Sequence, residues 1–203
     1  MAHPDVACGV PSGEAIDQHR WIVFQDESGT ALTSVVGRTW GKRGQTPVIQ
    51  LNGSRRGRDN MTAFLAYRAG EPPRLYAWAK TGDGYTKDDF PLLLTMLHAR
   101  LDGPVTLIWD NYSSHTSHLV RDWTRQQPWL KVVPLPPYAP ELNPVELLWK
   151  IVKDRIANRA FRSIQELADA DDAALSTIKK NATLLIGFLA GTRLPLPEVL
   201  SSA

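Results

Sequence analysis

The stretch GPVTLIWD at residues 103–110 decides the fold. It is apolar almost throughout, which is typical of a strand in a sheet that is covered on both faces. Helical patterns flank it at 88–101 and 116–127, and a second short buried strand is expected at 130–135. We therefore predict that this half of the chain contains parallel strands joined by right-handed crossovers.

The segments on either side of this core differ in character. Upstream, apolar runs separated by turn residues predict an antiparallel meander, with the first two strands forming a hairpin. These strands are predicted at 21–25, 31–36, 48–51, 61–68 and 74–79. Downstream, helical spacing predicts helices from Asn143 to about Ala160, at 163–180 and at 182–190. The order of elements predicts an α/β fold with a mixed sheet flanked by helices and extra C-terminal helices.

Local signals place several helix starts. Acidic residues at 88 and 89 are expected in the first turn of the helix at 88–101, where they favour the helix dipole. Ser163 followed by Glu166 has the pattern of a capping box at the start of the helix at 163–180.

The composition excludes several classes of protein. The chain has 203 residues, of which 43% are hydrophobic and 22% charged, as is ordinary for a globular domain. Its apolar runs are shorter than the roughly 20 residues of a membrane span, and its start has no secretory pattern. Cys8 is the single cysteine, so an internal disulfide and a multi-cysteine zinc site are excluded. We expect a cytoplasmic protein without a membrane partner.

Two clusters of basic residues stand out although the net charge is only +2. One lies between Arg38 and Arg58 and contains no acidic residue, and the other runs from Lys150 to Arg162. Both could neutralise DNA phosphates, and both could equally be solvated surface. The candidate DNA-binding residues in them are Lys42, Arg43, Arg55, Arg56, Lys150 and Lys153.

Three carboxylates lie at the ends of predicted elements. Asp26 closes the first strand, Asp110 closes the central strand, and Glu146 opens the helix after the proline-rich stretch at 134–144. If the first and central strands are neighbours, the three acids meet at one edge of the sheet. Crowded carboxylates repel one another, and Mg²⁺ or Mn²⁺ is the natural counter-ion for such oxygen ligands. Two ions roughly 3.5–4 Å apart support phosphoryl transfer.

Each acid also has a structural interpretation. Asp26 could be a turn residue, and Asp110 with Asn111 could form an Asx turn or cap a helix. Glu146 could complete a capping box with Asn143 as the N-cap and Pro144 at the first helical position. For any one residue these interpretations are the commoner ones, but together the three positions favour a shared site.

Four motifs resemble the DDE endonuclease domain of mariner-type insertion-sequence transposases. They are FQDESG at 24–29, RTWGKRGQTP at 38–47, IWDNYSSH at 108–115 and PPYAPELNPVELLW at 136–149. The 35 residues between Asp110 and Glu146 resemble the interval in that family.

The resemblance implies a ribonuclease-H-like fold with a mixed sheet of five or slightly more strands. It implies that Asp26, Asp110 and Glu146 hold two Mg²⁺ ions, with Mn²⁺ as a substitute. The activity implied is cleavage of DNA at transposon ends followed by strand transfer into target DNA, by a chain that pairs as a homodimer. It divides the chain into a leader at 1–20, a DDE domain at 21–160 and a C-terminal helical extension at 161–203.

Further residues fall near these motifs. His115 completes a DNxxxH pattern and is expected either to orient a carboxylate, to contact the scissile phosphate, or simply to be a satisfied polar residue. Glu27 should point to the opposite face of the strand from Asp26, so we do not expect it to be a ligand. Trp40 could stack on a DNA base or pin the basic loop to the core.

The chain departs from the family at its start. Only 25 residues precede Asp26, and they show no helix-turn-helix pattern. We therefore expect a helix-turn-helix partner encoded by a separate or frameshifted reading frame, or an inactive remnant that binds DNA or transposase and regulates transposition. A structure-specific nuclease with the same three acids is a third possibility.

Overall fold

The computed structural model describes residues 19–33, 37, 40–44, 48, 57–192 and 194 of the chain. Within them, five strands form one sheet in the order β3-β2-β1-β4-β5. The strands are β1 (Trp21–Ala31), β2 (Arg58–Arg68), β3 (Glu71–Thr81), β4 (Val105–Trp109) and β5 (Leu130–Pro134). β1 pairs antiparallel with β2 and parallel with β4, and β5 continues the parallel side. The predicted mixed five-stranded sheet is confirmed.

Five α-helices accompany the sheet in the described residues. They are α1 (Phe90–Leu101), α2 (His118–Arg125), α3 (Pro144–Ile156), α4 (Ile164–Lys179) and α5 (Ala182–Ala190), with a short 3₁₀ helix at Pro140–Leu142. None of the helices in this part of the chain is long and apolar enough to cross a membrane.

The sheet separates two hydrophobic layers. Trp21 and Val23 of β1 pack with α1 on one face, while the alternate residues Ile22 and Phe24 pack with α3, α4 and α5 on the other. Alternation along an extended strand sends successive side chains to opposite faces. The coverage predicted for the central sheet is therefore present, and the two C-terminal helices share a core with β1.

Side-chain caps set the start of each of the last three helices. Asn143 accepts a hydrogen bond from the Val145 N–H, Ser163 from the Glu166 N–H, and Asn181 from the Leu184 N–H. An N-cap of this kind stabilises a helix by about 1 kcal/mol. These short-range signals explain why the predicted helix starts lie close to the observed ones.

Three expectations about individual elements are wrong. The hairpin predicted for 21–36 is absent up to Thr33, because β1 continues through the turn-like residues to Ala31 and pairs there with Arg58. Cross-strand pairing with β2 overrides the turn preference of that stretch. The strand β5 is half-exposed because it is the edge of the sheet. The helix α1 begins at Phe90, so its first turn carries no acidic residue. Residues 34–36 and 49–51 lie outside the described residues.

Candidate active site

Asp26 and Asp110 occupy equivalent positions on adjacent parallel strands. The register pairs Trp21 with Val105 and Phe24 with Ile108. Continued by two residues, the same register places Asp26 beside Asp110, which directly follows β4. The strand pairing alone therefore brings the first two predicted acids together.

Glu146 reaches the same place through the start of α3. Asn143 is buried and donates from Nδ2 to the carbonyl oxygen of Gln25 at 3.1 Å, so it fastens the helix start to β1 one residue before Asp26. The sequence predicted Asn143 only as a cap; this second bond requires knowledge of the strand beside it. The proline-rich segment and the 3₁₀ helix directly precede Asn143 and lead the chain to that strand.

One cavity of about 400 Å³ is lined by all three predicted acids, Asp26, Asp110 and Glu146. The proline-rich segment forms another part of its lining, through Pro136, Pro137 and Pro140. The structure therefore brings together the three carboxylates that the sequence singled out.

The cavity concentrates negative charge around Asp26. Burial, the nearby Glu146 and Glu27 carboxylates, and to a smaller extent Asp110 raise the pKa of Asp26 to about 7. The Trp149 indole donates to Asp26 Oδ2 at 3.0 Å and fixes the orientation of that carboxyl group. A cation bound near this carboxyl group would favour its ionised form and lower its pKa again.

His115 lies buried between two carboxylates. Its Nδ1 lies 2.6 Å from Asp110 Oδ1 and its Nε2 lies 3.0 Å from Glu27 Oε1. Burial alone would lower the pKa of His115, but the hydrogen bonds to Asp110 and Glu27 outweigh it and raise the pKa to about 9. The protonated ring therefore donates to both acids and stacks on Trp109, with ring centroids 4.1 Å apart.

Asp110 is correspondingly held as an anion. Burial would raise its pKa, but the bonds from His115 and from the Tyr112 N–H keep the pKa below its ordinary value. Both bonds end on Oδ1, and Oδ2 makes no hydrogen bond within the described part of the chain. Two hydrogen bonds to Oδ1 thus orient the Asp110 carboxylate, and Oδ2 accepts no hydrogen bond from the described residues.

Glu27 is the functional neighbour that sequence reasoning did not identify. Besides His115, it accepts a hydrogen bond from Gln25 Nε2 at 2.8 Å, and Gln25 in turn accepts from the Trp109 indole. Glu27 does not line the cavity of the three acids, but it lines a second cavity of about 340 Å³ together with Asp26 and Asp110. That Glu27 is not a metal ligand stays a prediction. His115 links Glu27, in β1, to Asp110, in the loop after β4. The sequence of neither segment predicts this contact.

The donor set fits a hard divalent cation. Carboxylate oxygens are the ligands that Mg²⁺ and Mn²⁺ prefer. The pKa of Asp26 is raised mainly by burial and secondarily by the nearby Glu146 and Glu27 carboxylates. As they stand, no three His, Cys, Asp or Glu side chains of the described residues are gathered closely enough to hold an ion. The three acids line the cavity without converging on one point.

The predicted DNA-binding residues differ in their exposure. Lys42 and Arg43 are exposed, whereas Arg55 and Arg56 lie outside the described residues. Lys150 is exposed and bonded to Asp154 at 2.9 Å, and Lys153 is half-buried.

His115 and Trp40 differ sharply in exposure. His115 is only 4% exposed and both ring nitrogens are engaged, so its contact with a phosphate stays a prediction that this burial does not favour. Trp40 is fully exposed and does not pin the basic loop to the core.

The chain is similar to known proteins both in sequence and in fold. Residues 21–168 match the family described as DDE superfamily endonuclease. The insertion element IS630 uncharacterized 39 kDa protein of Shigella sonnei is 30% identical over 137 residues, which cover 66% of this chain and 38% of that protein. The chain therefore spans well under half the length of this curated relative.

Solved structures show the same fold. The mariner Mos1 paired-end complex with Mg aligns with a TM-score of 0.62 at 21% identity, covering 90% of this chain and 54% of that chain. The catalytic domain of Mos1 mariner transposase aligns with a TM-score of 0.56 at 19% identity, covering 90% and 79%. The mixed sheet flanked by helices is thus the ribonuclease-H-like fold of that domain.

Proposed function

This chain belongs to the DDE superfamily endonucleases, and from that membership we propose that it is the DNA-cleaving and strand-transferring domain of a mariner-type insertion-sequence transposase. The observation that carries the proposal is the shared cavity of Asp26, Asp110 and Glu146. The substrate would be DNA at the ends of the element, and the second substrate would be target DNA. The two Mos1 complexes with paired ends support DNA as the partner.

Asp26, Asp110 and Glu146 would hold Mg²⁺, or Mn²⁺ in its place. When bound, a pair of such ions supplies activation of an attacking oxygen and stabilisation of the leaving oxygen in phosphoryl transfer. The chain's own task is to present its carboxylates in the right orientation, since catalysis of this kind depends on positioning and electrostatics.

Three neutral or cationic side chains perform that positioning. The Trp149 indole holds Asp26, the His115 imidazolium holds Asp110, and Asn143 fixes the helix start that carries Glu146. Outer partners of this kind change metal affinity or activity by about 10- to 100-fold when removed. The arrangement therefore keeps three mutually repelling acids in place before a cation arrives.

We further propose that the chain forms a homodimer and acts with a helix-turn-helix partner from a separate or frameshifted reading frame. Its location would be cytoplasmic, on the nucleoid. These follow from the resemblance to mariner-type transposases and have no counterpart in the geometry described above. The inactive remnant that only binds DNA or transposase is the competing proposal.

The test is a strand-joining reaction with the purified chain, a DNA fragment carrying a free 3′-hydroxyl end, and a supercoiled target plasmid. With Mn²⁺ or Mg²⁺ we expect nicking and joining, and in Ca²⁺ or EDTA neither. Asp110→Asn and Glu146→Gln should each reduce joining by more than about 100-fold, since these residues are nearer the chemistry than outer partners.

Glu141→Gln is the matched control, because Glu141 is exposed on the same segment but does not line the cavity. Cleavage without joining would instead identify a structure-specific nuclease. DNA binding without any cleavage in either metal would favour the inactive remnant. Equal activity in the wild type and Asp110→Asn would refute the proposed site.

A further inference from the structure

Two exposed tyrosines line the cavity of the three acids. Tyr138 lies in the proline-rich segment with its side chain fully exposed, and Tyr112 follows Asp110 by two residues and is 58% exposed. Large aromatic side chains usually bury their rings. Rings left in water beside a candidate active site are therefore available to a ligand.

Tyr138 is held out in an unfavourable backbone conformation. Its φ angle is +59°, in the left-handed region, which costs a residue other than glycine roughly 1–2 kcal/mol. Pro136 and Pro137 precede it and Pro140 follows two residues later, and each proline fixes its own φ angle. Tyr138 therefore combines an unfavourable backbone conformation with a fully exposed ring. Strain of this kind gathers at sites of ligand contact.

Two hydrogen bonds anchor the backbone around Tyr112. The Tyr112 N–H donates to Asp110 Oδ1 at 3.0 Å, and the Asn111 side chain donates to the Leu135 carbonyl at 3.0 Å. The second bond joins the segment that carries Tyr112 to the segment that carries Tyr138. Both rings are therefore presented from anchored backbone, which reduces the entropy lost when a ligand stacks on them.

We propose that Tyr138, with Tyr112, forms a stacking platform for an unpaired nucleobase next to the phosphate that the three acids act on. This inference rests on the proposed function, because it takes the ligand of the cavity to be DNA. Stacking on an aromatic side chain is worth about 1–3 kcal/mol per base and tolerates any base. A base inside a duplex is already stacked on its neighbours, so the platform selects DNA whose end is frayed or splayed.

The test compares two DNA duplexes in Ca²⁺, which allows binding without cleavage. One is fully paired, and the other has an unpaired end that carries 2-aminopurine beside the cleavage position. Stacking quenches 2-aminopurine, so the wild type should quench the fluorescence of the unpaired end. Tyr138→Ala should abolish the quenching and weaken binding of the splayed duplex by about 10-fold, with less than about a 2-fold change for the paired duplex.

Tyr138→Phe keeps the ring and should behave as the wild type, and Glu141→Ala controls for a change in the same segment. Thermal unfolding followed by circular dichroism shows that each variant is folded. Tyr112→Phe should quench 2-aminopurine as the wild type does, whereas Tyr112→Leu should reduce the quenching. Both variants keep the backbone N–H that bonds to Asp110.

The following results would overturn the inference. Absence of quenching in the wild type, quenching that survives Tyr138→Ala, or equal weakening on both duplexes would exclude a base platform. A variant that changes only the oligomeric state in gel filtration would assign the rings to contact with a second chain. Quenching without strand joining would leave the platform standing and refute the proposed chemistry, whereas joining without quenching would do the reverse.

Discussion

Asn143 uses both ends of its side-chain amide, donating to the carbonyl oxygen of Gln25 and accepting from the Val145 N–H. One small side chain therefore caps α3 and fastens it to β1 beside Asp26. This contact joins the start of the helix that carries Glu146 to the strand that carries Asp26.

Asn143→Asp should separate these two roles. Aspartate is as good an N-cap as asparagine, but it cannot donate to the Gln25 carbonyl. Leaving a buried acceptor unpaired costs about 1–3 kcal/mol. We expect that loss in the free energy of unfolding, measured by urea denaturation, together with at least about a 10-fold loss of strand joining. The cap Asn181→Asp, on α5, is the control and should change joining by less than about 2-fold; equal effects of the two substitutions would contradict the tether.

His115→Gln should weaken the site through Asp110. Glutamine carries both of its N–H donors on one nitrogen, so it cannot replace the two separate ring nitrogens that face Asp110 and Glu27. One carboxylate therefore loses its partner. We expect a roughly 10- to 100-fold loss of Mn²⁺ affinity by calorimetry, with a parallel loss of strand joining. His118→Gln, at an exposed residue at the start of α2, should leave both quantities unchanged. Unaltered Mn²⁺ affinity in His115→Gln would refute the positioning role.

A second pair of acids lies away from the cavity. Asp59 and Asp171 are both almost fully buried; Thr30 donates to Asp171 Oδ2, while Asp171 Oδ1 and both Asp59 oxygens have no hydrogen-bond partner in the described residues. Burial, opposed by the Thr30 bond and reinforced by Asp59, raises the pKa of Asp171 to about 6. Burial also raises the pKa of Asp59, and Asp172 adds to the effect.

This pair should make the protein more stable in mild acid. Because the folded-state pKa of Asp171 is raised, its favourable contribution is complete below the ordinary value of 3.8 and is lost as the pH rises through about 6. Asp171→Asn should therefore raise the free energy of unfolding at pH 8 by about 1–3 kcal/mol and flatten its pH dependence. Thermal melts across this pH range measure both effects. The exposed Asp169→Asn on the same helix should reproduce neither; a wild type that gains stability above pH 6 would contradict the assignment.

Lys42 and Arg43 should contribute to DNA binding through charge alone. Both are exposed. Replacing them with glutamine should weaken binding and make the plot of log affinity against log salt less steep by roughly 2, since each neutralised phosphate contributes about 0.9. Fluorescence anisotropy over a salt series measures the slope. Lys180→Gln, at the end of α4, is the control, and an unchanged slope in the double variant would return this loop to ordinary solvated surface.

The parts of this molecule that sequence could predict are those with local causes. The caps at Asn143 and Ser163 follow from side chains that bond to the backbone two or three residues on, and both caps form. The reciprocal bond of a capping box differs at Ser163, since the Glu166 side chain accepts from the Arg162 N–H. The apolar run before Asp110 likewise predicted a strand covered on both faces. The turn preference of residues 26–29 predicted the end of β1 wrongly. These residues stay extended because β2 pairs alongside them.

The remaining features arise from contacts between distant segments. Glu27 reaches Asp110 through His115, 88 residues away in sequence from Glu27. The Asn143 tether to Gln25 spans 118 residues. Neither segment shows a local preference for such a contact. The three acids, His115 and the cap Asn143 could therefore be named from sequence, while the contacts of His115 with Glu27 and of Asn143 with Gln25 could not.

The position of β1 at the middle of the sheet means that the three acids belong to segments far apart in sequence. Asp26 lies beside Asp110 only when β4 is paired with β1, and Glu146 lies near both only when the start of α3 is bound to β1 through Asn143. A chain in which either contact is missing holds at most two of the acids in place. The complete set of three acids is therefore a property of the assembled tertiary structure and of no single segment.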